Sequence, residues 1–139
     1  MFLKFKKLHK DAKWKIGTEK SEGIDLASVI NKTMFPGEIH KIPLGISVEP
    51  PEGYYTELHL RSSLRVEGLL SMVSIIDNDY RGELMLIIVC TVKKYYITKG
   101  DFVGQLLIKN SESAKFKIME TDTLSETPRG SGGFGSTNK

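Results

Sequence analysis

Cys90 is the only cysteine of the chain. A disulfide framework is excluded, and a thiol set in an apolar run is expected to be reduced and buried, as in a cytoplasmic protein. Histidine is scarce too: His9, His40 and His59 stand far apart with no ligand-spaced cysteine or carboxylate set, which argues against a protein-ligated zinc site. The longest apolar stretch, Leu84 to Val92, is too short to span a membrane. The basic start MFLKFKKLHK is followed by no apolar stretch of signal-peptide length. Charge of one sign is not in large excess either. A net charge of +3 and a pI near 8.9 favour an anionic ligand, but the basic residues are spread along the chain and give no footprint for nucleic acid.

Helical periodicity is missing as well: no segment keeps it over three turns, and at most one short helix is expected after Arg61. What is present is alternation. Leu3 and Phe5 alternate with lysines, and Leu44, Ile46 and Val48 with Gly45 and Ser47. Turn chemistry at Pro36-Gly37, Pro50-Pro51-Glu52-Gly53, Asn78-Asp79 and Lys99-Gly100-Asp101 breaks the chain into short pieces. Strands are predicted at Phe2–Lys6, Ile24–Ala27, Ile39–Glu49, Tyr55–Leu60, Leu69–Ile76, Glu83–Val92, Phe102–Lys109 and Lys115–Thr121. Leu84 to Val92 is apolar on both faces and needs two covers; one is the core, and a neighbouring subunit can supply the other. After Thr121 the apolar signal stops. The expected organisation is one all-β domain, residues 1–121, with a mobile C-terminal arm, residues 122–139.

Four segments can carry chemistry. In SIIDNDYRGEL, Ser74 to Leu84, a strand delivers Asp77 at its end, where a carboxylate can serve as general base towards water. Tyr80 follows and can pack on a sugar or base; equally, Asn78 and Asp79 can simply make a hairpin turn. Arg61-Ser62-Ser63 sets a fixed cation beside two hydroxyl donors, a group suited to phosphate oxygens, or Ser62 or Ser63 caps a short helix. His59 and Ser62 lack a nucleophile elbow, so a serine hydrolase is rejected. Gln105 places an amide in an apolar strand and needs partners. Asp25 places a carboxylate in another, where it must meet an arginine or a solvated metal.

The end of the chain, RGSGGFGSTNK, comes within one residue of a Walker loop. It fails as one, because Ser136 replaces the lysine, no strand leads closely in and no helix follows. It still suits phosphate: Arg129 can fork two oxygens, Gly135 and its neighbouring glycines allow close backbone approach, and Ser136 and Thr137 add donors. Phe134 can stack on a base.

Together, GIDLAS (Gly23–Ser28), RSSL (Arg61–Leu64), SIIDNDYRGEL (Ser74–Leu84), GDFVGQL (Gly100–Leu106) and RGSGGFGST (Arg129–Thr137) resemble, in order and separation, the five motifs of the trimeric dUTP pyrophosphatases, the dUTPases. The resemblance runs from roughly Ile16 to Thr137. It implies a jelly-roll β-barrel or sandwich assembled as a homotrimer, with active sites shared between subunits and closed by the glycine-rich arm. It also implies hydrolysis of dUTP to dUMP and pyrophosphate with Mg2+, limiting uracil in DNA and supplying dUMP for thymidylate synthesis. By that resemblance Asp77 is the base. Arg61, Ser62, Ser63 and Gln105 hold the α- and β-phosphates, while Arg129, Ser136 and Thr137 hold the γ-phosphate. Tyr80 packs under the deoxyribose, Ser74 and Ile76 belong to the uracil-reading hairpin, Phe134 caps the base and Asp25 orders the water shell of Mg2+.

The match has departures. Ser74 stands where the family commonly has glycine, Phe102 replaces a usual arginine, Gly104 an alanine, and Glu22 and Asn138 fall where small residues are common. Two other readings stay open: a regulatory protein using the nucleotide site as a switch, and a dCTP deaminase-like enzyme. Neither membrane nor nucleic acid is an expected partner.

Overall fold

The structure, a computed structural model, describes residues 1–91 and 93–135. A five-stranded antiparallel sheet runs in the order β2 (Trp14–Ile16), β3 (Ile24–Ala27), β12 (Phe102–Asn110), β7 (Tyr54–Leu60), β9 (Ser74–Ile76). A three-stranded sheet orders β5 (Ile39–Pro43), β10 (Met85–Cys90), β8 (Leu69–Leu70), and two pairs complete the set: β1 (Lys4–Lys7) with β6 (Ile46–Glu49), and β4 (Lys32–Met34) with β11 (Tyr95–Ile97). The only α-helix among the described residues is α1, Ser62–Val66, where a short helix was expected. The all-β architecture is therefore as predicted, in the form of a sandwich whose sheets remain open.

Alternation explains the core. Thr56, Leu58 and Leu60 point inward from β7 and Leu86, Ile88 and Cys90 from β10, while their neighbours face out. All but Thr56 of these side chains join Leu26, Met34, Ile42, Leu44, Ile46 and Leu106 in one apolar cluster. Cys90 is buried and unpaired as expected, its thiol directed at the Lys93 carbonyl. The second cover expected for β10 does not come from the described residues. Met85 and Ile87 are exposed on the outer face beside Ile39 and Leu70, which β10 meets across the sheet.

Several predicted boundaries change. Ile39–Glu49 is two strands, because Gly45 at φ 70° turns the chain between them. Leu69–Ile76 also divides, into β8 and β9 on different sheets. Lys115–Thr121 is not a strand: Ser113–Lys115 is a 3-10 turn and the rest is irregular and exposed. Its alternating Phe116 and Ile118 have no partner strand among the described residues, and an unpaired strand gains no ladder. Strands β2, β4 and β11 were not anticipated.

Gly45 is a point of convergence. Its carbonyl accepts from Leu8 and His9 N–H, its N–H donates to the Glu83 carboxylate at 3.1 Å, and a Cβ there would come 2.7 Å from Val29 Cγ1. We expect Gly45→Ala to lower unfolding free energy by about 2–4 kcal/mol, combining left-handed strain with a core clash. Denaturant titration checks this, and an unchanged midpoint would contradict it.

Candidate active site

The outer face of the five-stranded sheet gathers one group of predicted residues. Asp25 on β3 lies opposite Gln105 on β12, which lies opposite His59 on β7. Arg61 follows β7 directly, with Nε 3.4 Å from Asp25 Oδ1 and a terminal nitrogen donating to the Phe102 carbonyl at 3.2 Å. The buried Asp25 thus meets the arginine that its place in an apolar strand requires. Arg61 is itself the helix N-cap, without a side-chain cap bond. Ser62 and Ser63 occupy the first turn, so the expected serine cap is corrected. Neither serine hydroxyl, nor the Gln105 amide, takes a partner among the described residues. Gln105 is not fully buried and can remain hydrated.

Along β7 the same face carries a chain of side chains that the sequence did not single out. Tyr55 donates to Glu57 at 3.1 Å and His59 Nε2 contacts the other Glu57 oxygen at 3.1 Å. The hydrogen bond from His59, reinforced by Tyr55, holds the Glu57 carboxyl below its ordinary range, whereas the hydrogen bond to Glu57 pushes the Tyr55 phenol up. Each histidine in fact has a carboxylate two residues away (Asp11, Glu38 or Glu57). Still, no group of three or more metal-binding side chains gathers among the described residues. A chelating protein cage does not fit this donor set. A single carboxylate fits a hydrated cation held mainly by other ligands.

A second group surrounds a cleft of about 520 Å3 lined by Ser74, Ile76, Asp77 and Tyr80 together with Lys41, Glu83 and Met85, a size suited to a small ligand. The turn closes with Tyr80 N–H donating to the Asp77 carbonyl at 3.1 Å, and the Tyr80 hydroxyl donates to the Glu83 carbonyl at 3.0 Å. Asn78 anchors the turn, its amide donating to the Pro51 and Tyr54 carbonyls at 3.0 and 2.8 Å. The turn-forming and site-forming readings of this hairpin are thus compatible. Lys41 and Glu83 escaped sequence reasoning; Lys41 enters only because β5 pairs with β10, a contact with no local signature.

The third group is the arm. Every residue from Lys115 to Ser131 whose side chain is described is exposed. Arg129 Nε donates to the Gly132 carbonyl at 2.8 Å, and Phe134, at φ 51°, is fully exposed beside Gly135. Ser136 and Thr137 lie outside the described residues.

One chain does not bring these groups together. Pairing of β7 with β9 sets Thr56 opposite Ile76, so Asp77 falls level with Tyr55. Arg61 is six residues further along β7, which at the strand rise is roughly 20 Å away. Within one chain, Asp77 and Arg61 therefore stand at opposite ends of β7.

The dUTPase family model matches residues 12–138. A deoxyuridine 5'-triphosphate nucleotidohydrolase of Helicobacter pylori (strain P12) is 35% identical, the match covering 99% of this chain and 97% of the relative. One of Rickettsia canadensis (strain McKiel) is 38% identical, over 88% and 86%. The chain belongs to the dUTPase family. Solved dUTPases share the fold: that of Staphylococcus bacteriophage 80alpha with dUPNHPP superimposes with a TM-score of 0.89 at 24% identity, over 99% of both chains. A mutant dUTPase from phage phi11 of S. aureus, described with a structural Mg(II) ion, does so at 0.81 and 20% identity, over 91% of this chain and 100% of that one. As a dUTPase, the chain carries all five motif segments inside the matched span. No helix among the described residues is long and apolar enough to cross a membrane.

Proposed function

We propose that this protein hydrolyses dUTP to dUMP and pyrophosphate. Water attacks the α-phosphorus, the bond to the bridging α–β oxygen breaks, pyrophosphate leaves, and Asp77 accepts the water proton. The observation that carries this reading is the division of the motif residues within a dUTPase chain. A phosphate-facing row (Asp25, Arg61, Gln105) and a base-and-sugar cleft (Ser74, Ile76, Asp77, Tyr80) stand too far apart for one chain to use both. Two separated half-sites on one chain support sites shared in a homotrimer, as does the apolar outer face of β10.

In this assignment Arg61, Ser62, Ser63 and Gln105 hold the α- and β-phosphates, and Arg129, Ser136 and Thr137 the γ-phosphate. A triphosphate repels nucleophiles, so this positive lining both binds and pre-aligns it. Mg2+ bound to the phosphates would add neutralising charge, with Asp25 placed to order its water. Tyr80 packs under the deoxyribose and leaves no room for a 2′-hydroxyl. The hairpin around Ser74 and Ile76 reads uracil, and Phe134 with Gly135 covers it. Such an enzyme lowers the dUTP available to DNA synthesis and supplies dUMP, in keeping with a cytoplasmic location, or with the host cytoplasm or nucleus for a viral protein.

Pyrophosphate release from dUTP, dCTP, dTTP and UTP with Mg2+ tests the proposal. We expect kcat/KM for dUTP to exceed that for dTTP and UTP by at least about 10²-fold. Equal rates with dUTP and dTTP would overturn uracil reading, and turnover of dCTP to a uracil nucleotide would favour the deaminase alternative.

A further inference from the structure

We infer that Gly23 and Gly82 are positioning residues, each leaving the space in which one substrate-facing side chain is seated: Gln105 against Gly23 and Tyr80 against Gly82. The inference rests on the assignment of Gln105 to phosphate and Tyr80 to the sugar. A Cβ on Gly23 would lie 2.5 Å from Gln105 Nε2 and closer still to its Cγ and Cδ. A Cβ on Gly82 would lie 2.9 Å from Tyr80 Cε1 and closer still to Cζ and the hydroxyl oxygen. Carbon atoms in favourable contact stand about 3.5–4.0 Å apart, so neither side chain can keep its place beside an alanine.

Backbone freedom does not explain these glycines. Gly37, Gly45, Gly53, Gly68, Gly100, Gly130 and Gly135 have positive φ, whereas Gly23 and Gly82 do not, and an alanine backbone fits both positions. What stands in the way is side chain, the Cγ and amide of Gln105 or the outer end of the Tyr80 ring, rather than main chain. An added methyl group therefore displaces Gln105 or Tyr80 and leaves the strands as they are. Gln105 is the more dependent of the two. Its amide has no partner among the described residues, so the hollow over Gly23 defines where it sits. Tyr80 has one tether, the bond to the Glu83 carbonyl, and that bond passes over residue 82.

The two seats predict different kinetic signatures, which general damage to the protein would not produce. Gly23→Ala should lower kcat/KM for dUTP and UTP by a common factor on the order of 10–10², because a misplaced phosphate ligand costs both nucleotides alike. Gly82→Ala should instead shrink the dUTP-to-UTP ratio of kcat/KM by at least about tenfold, because the ring no longer bars the 2′-hydroxyl. Thermal midpoints should stay within a few degrees of the parent; a variant that fails to fold would make its glycine structural and overturn the inference for that seat.

The decisive experiment measures dUTP and UTP kinetics with Mg2+ on the full chain for Gly23→Ala, Gln105→Ala, Gly82→Ala, Tyr80→Ala and the two glycine–partner double variants. Crystal structures of the two glycine variants accompany the kinetics. If each glycine acts through its partner, the double variant loses no more than about twofold beyond the partner's own substitution. Additive losses, or a Gln105 or Tyr80 found unmoved in the variant crystals, would overturn the seats. Tyr80→Ala with an unchanged sugar preference would instead count against the sugar assignment, and the crystal positions would still judge the seat.

Discussion

Asp77→Asn is expected to lower kcat for dUTP by about 10²–10⁴-fold, the range of a lost general base, while binding of a non-hydrolysable dUTP analogue changes less than about threefold. The substitution suits its question because asparagine keeps the shape and the turn. What Asp77 contributes to the hairpin is its carbonyl, which accepts from Tyr80 N–H, and Asn78 rather than Asp77 ties the turn to the Pro51–Tyr54 loop. Fold, cleft and sugar contact therefore survive, and only the proton acceptor goes. The Asp77 side chain is exposed within one chain, as a base must be if water and a phosphate from a neighbouring half-site are to reach it. Single-turnover hydrolysis beside analogue titration separates the two quantities. Activity close to the parent would return Asp77 to the role of turn former and leave the attacking water without a base.

Strands β7 and β12 were legible because their apolar patterns are long, and the short, almost wholly buried β3 because its run Ile24–Ala27 is bounded by Gly23 and turn residues. The errors have physical causes. Alternation passes uninterrupted through Gly45, so Ile39–Glu49 looked like one strand, yet a residue at φ 70° cannot continue a ladder. β2 is three residues long and exposed at all three, so the alternation of Trp14 and Ile16 with Lys15 was too short to single out, and β4 pairs with β11 some sixty residues away without an apolar pattern of its own. Lys115–Thr121 has the pattern of a strand without a partner, and a pattern does not supply one. The site shows the same division. Residue types such as Arg61, Asp77 and Arg129 are local facts and could be read directly. Their distances are set by register, which is why the gap between Asp77 and Arg61, and the seating of Gln105 against Gly23, emerged only from the folded chain.

Removal of residues 129–139 should leave a trimer in solution with a thermal midpoint within about 2 °C of the full chain, yet reduce kcat/KM for dUTP on the order of 10²–10³-fold. The stability half follows from exposure. The described part of the arm is largely solvated, and changes at such positions usually cost less than about 0.5 kcal/mol. The activity half follows from what the arm can supply. Arg129 brings a bidentate cation, and Phe134 brings an aromatic surface that contacts nothing as a core residue would, being fully exposed. Closing over substrate would let both groups act where water is excluded, and there a single hydrogen-bond donor to developing charge can be worth about 10²-fold or more. Arg129→Ala should reproduce much of the loss and Phe134→Ala a smaller part. Solution mass, thermal melts and pyrophosphate release on the truncated chain make the comparison. A large fall in thermal midpoint without nucleotide would show the arm to be structural, and full activity would mean that the γ-phosphate is held by residues of the sandwich alone.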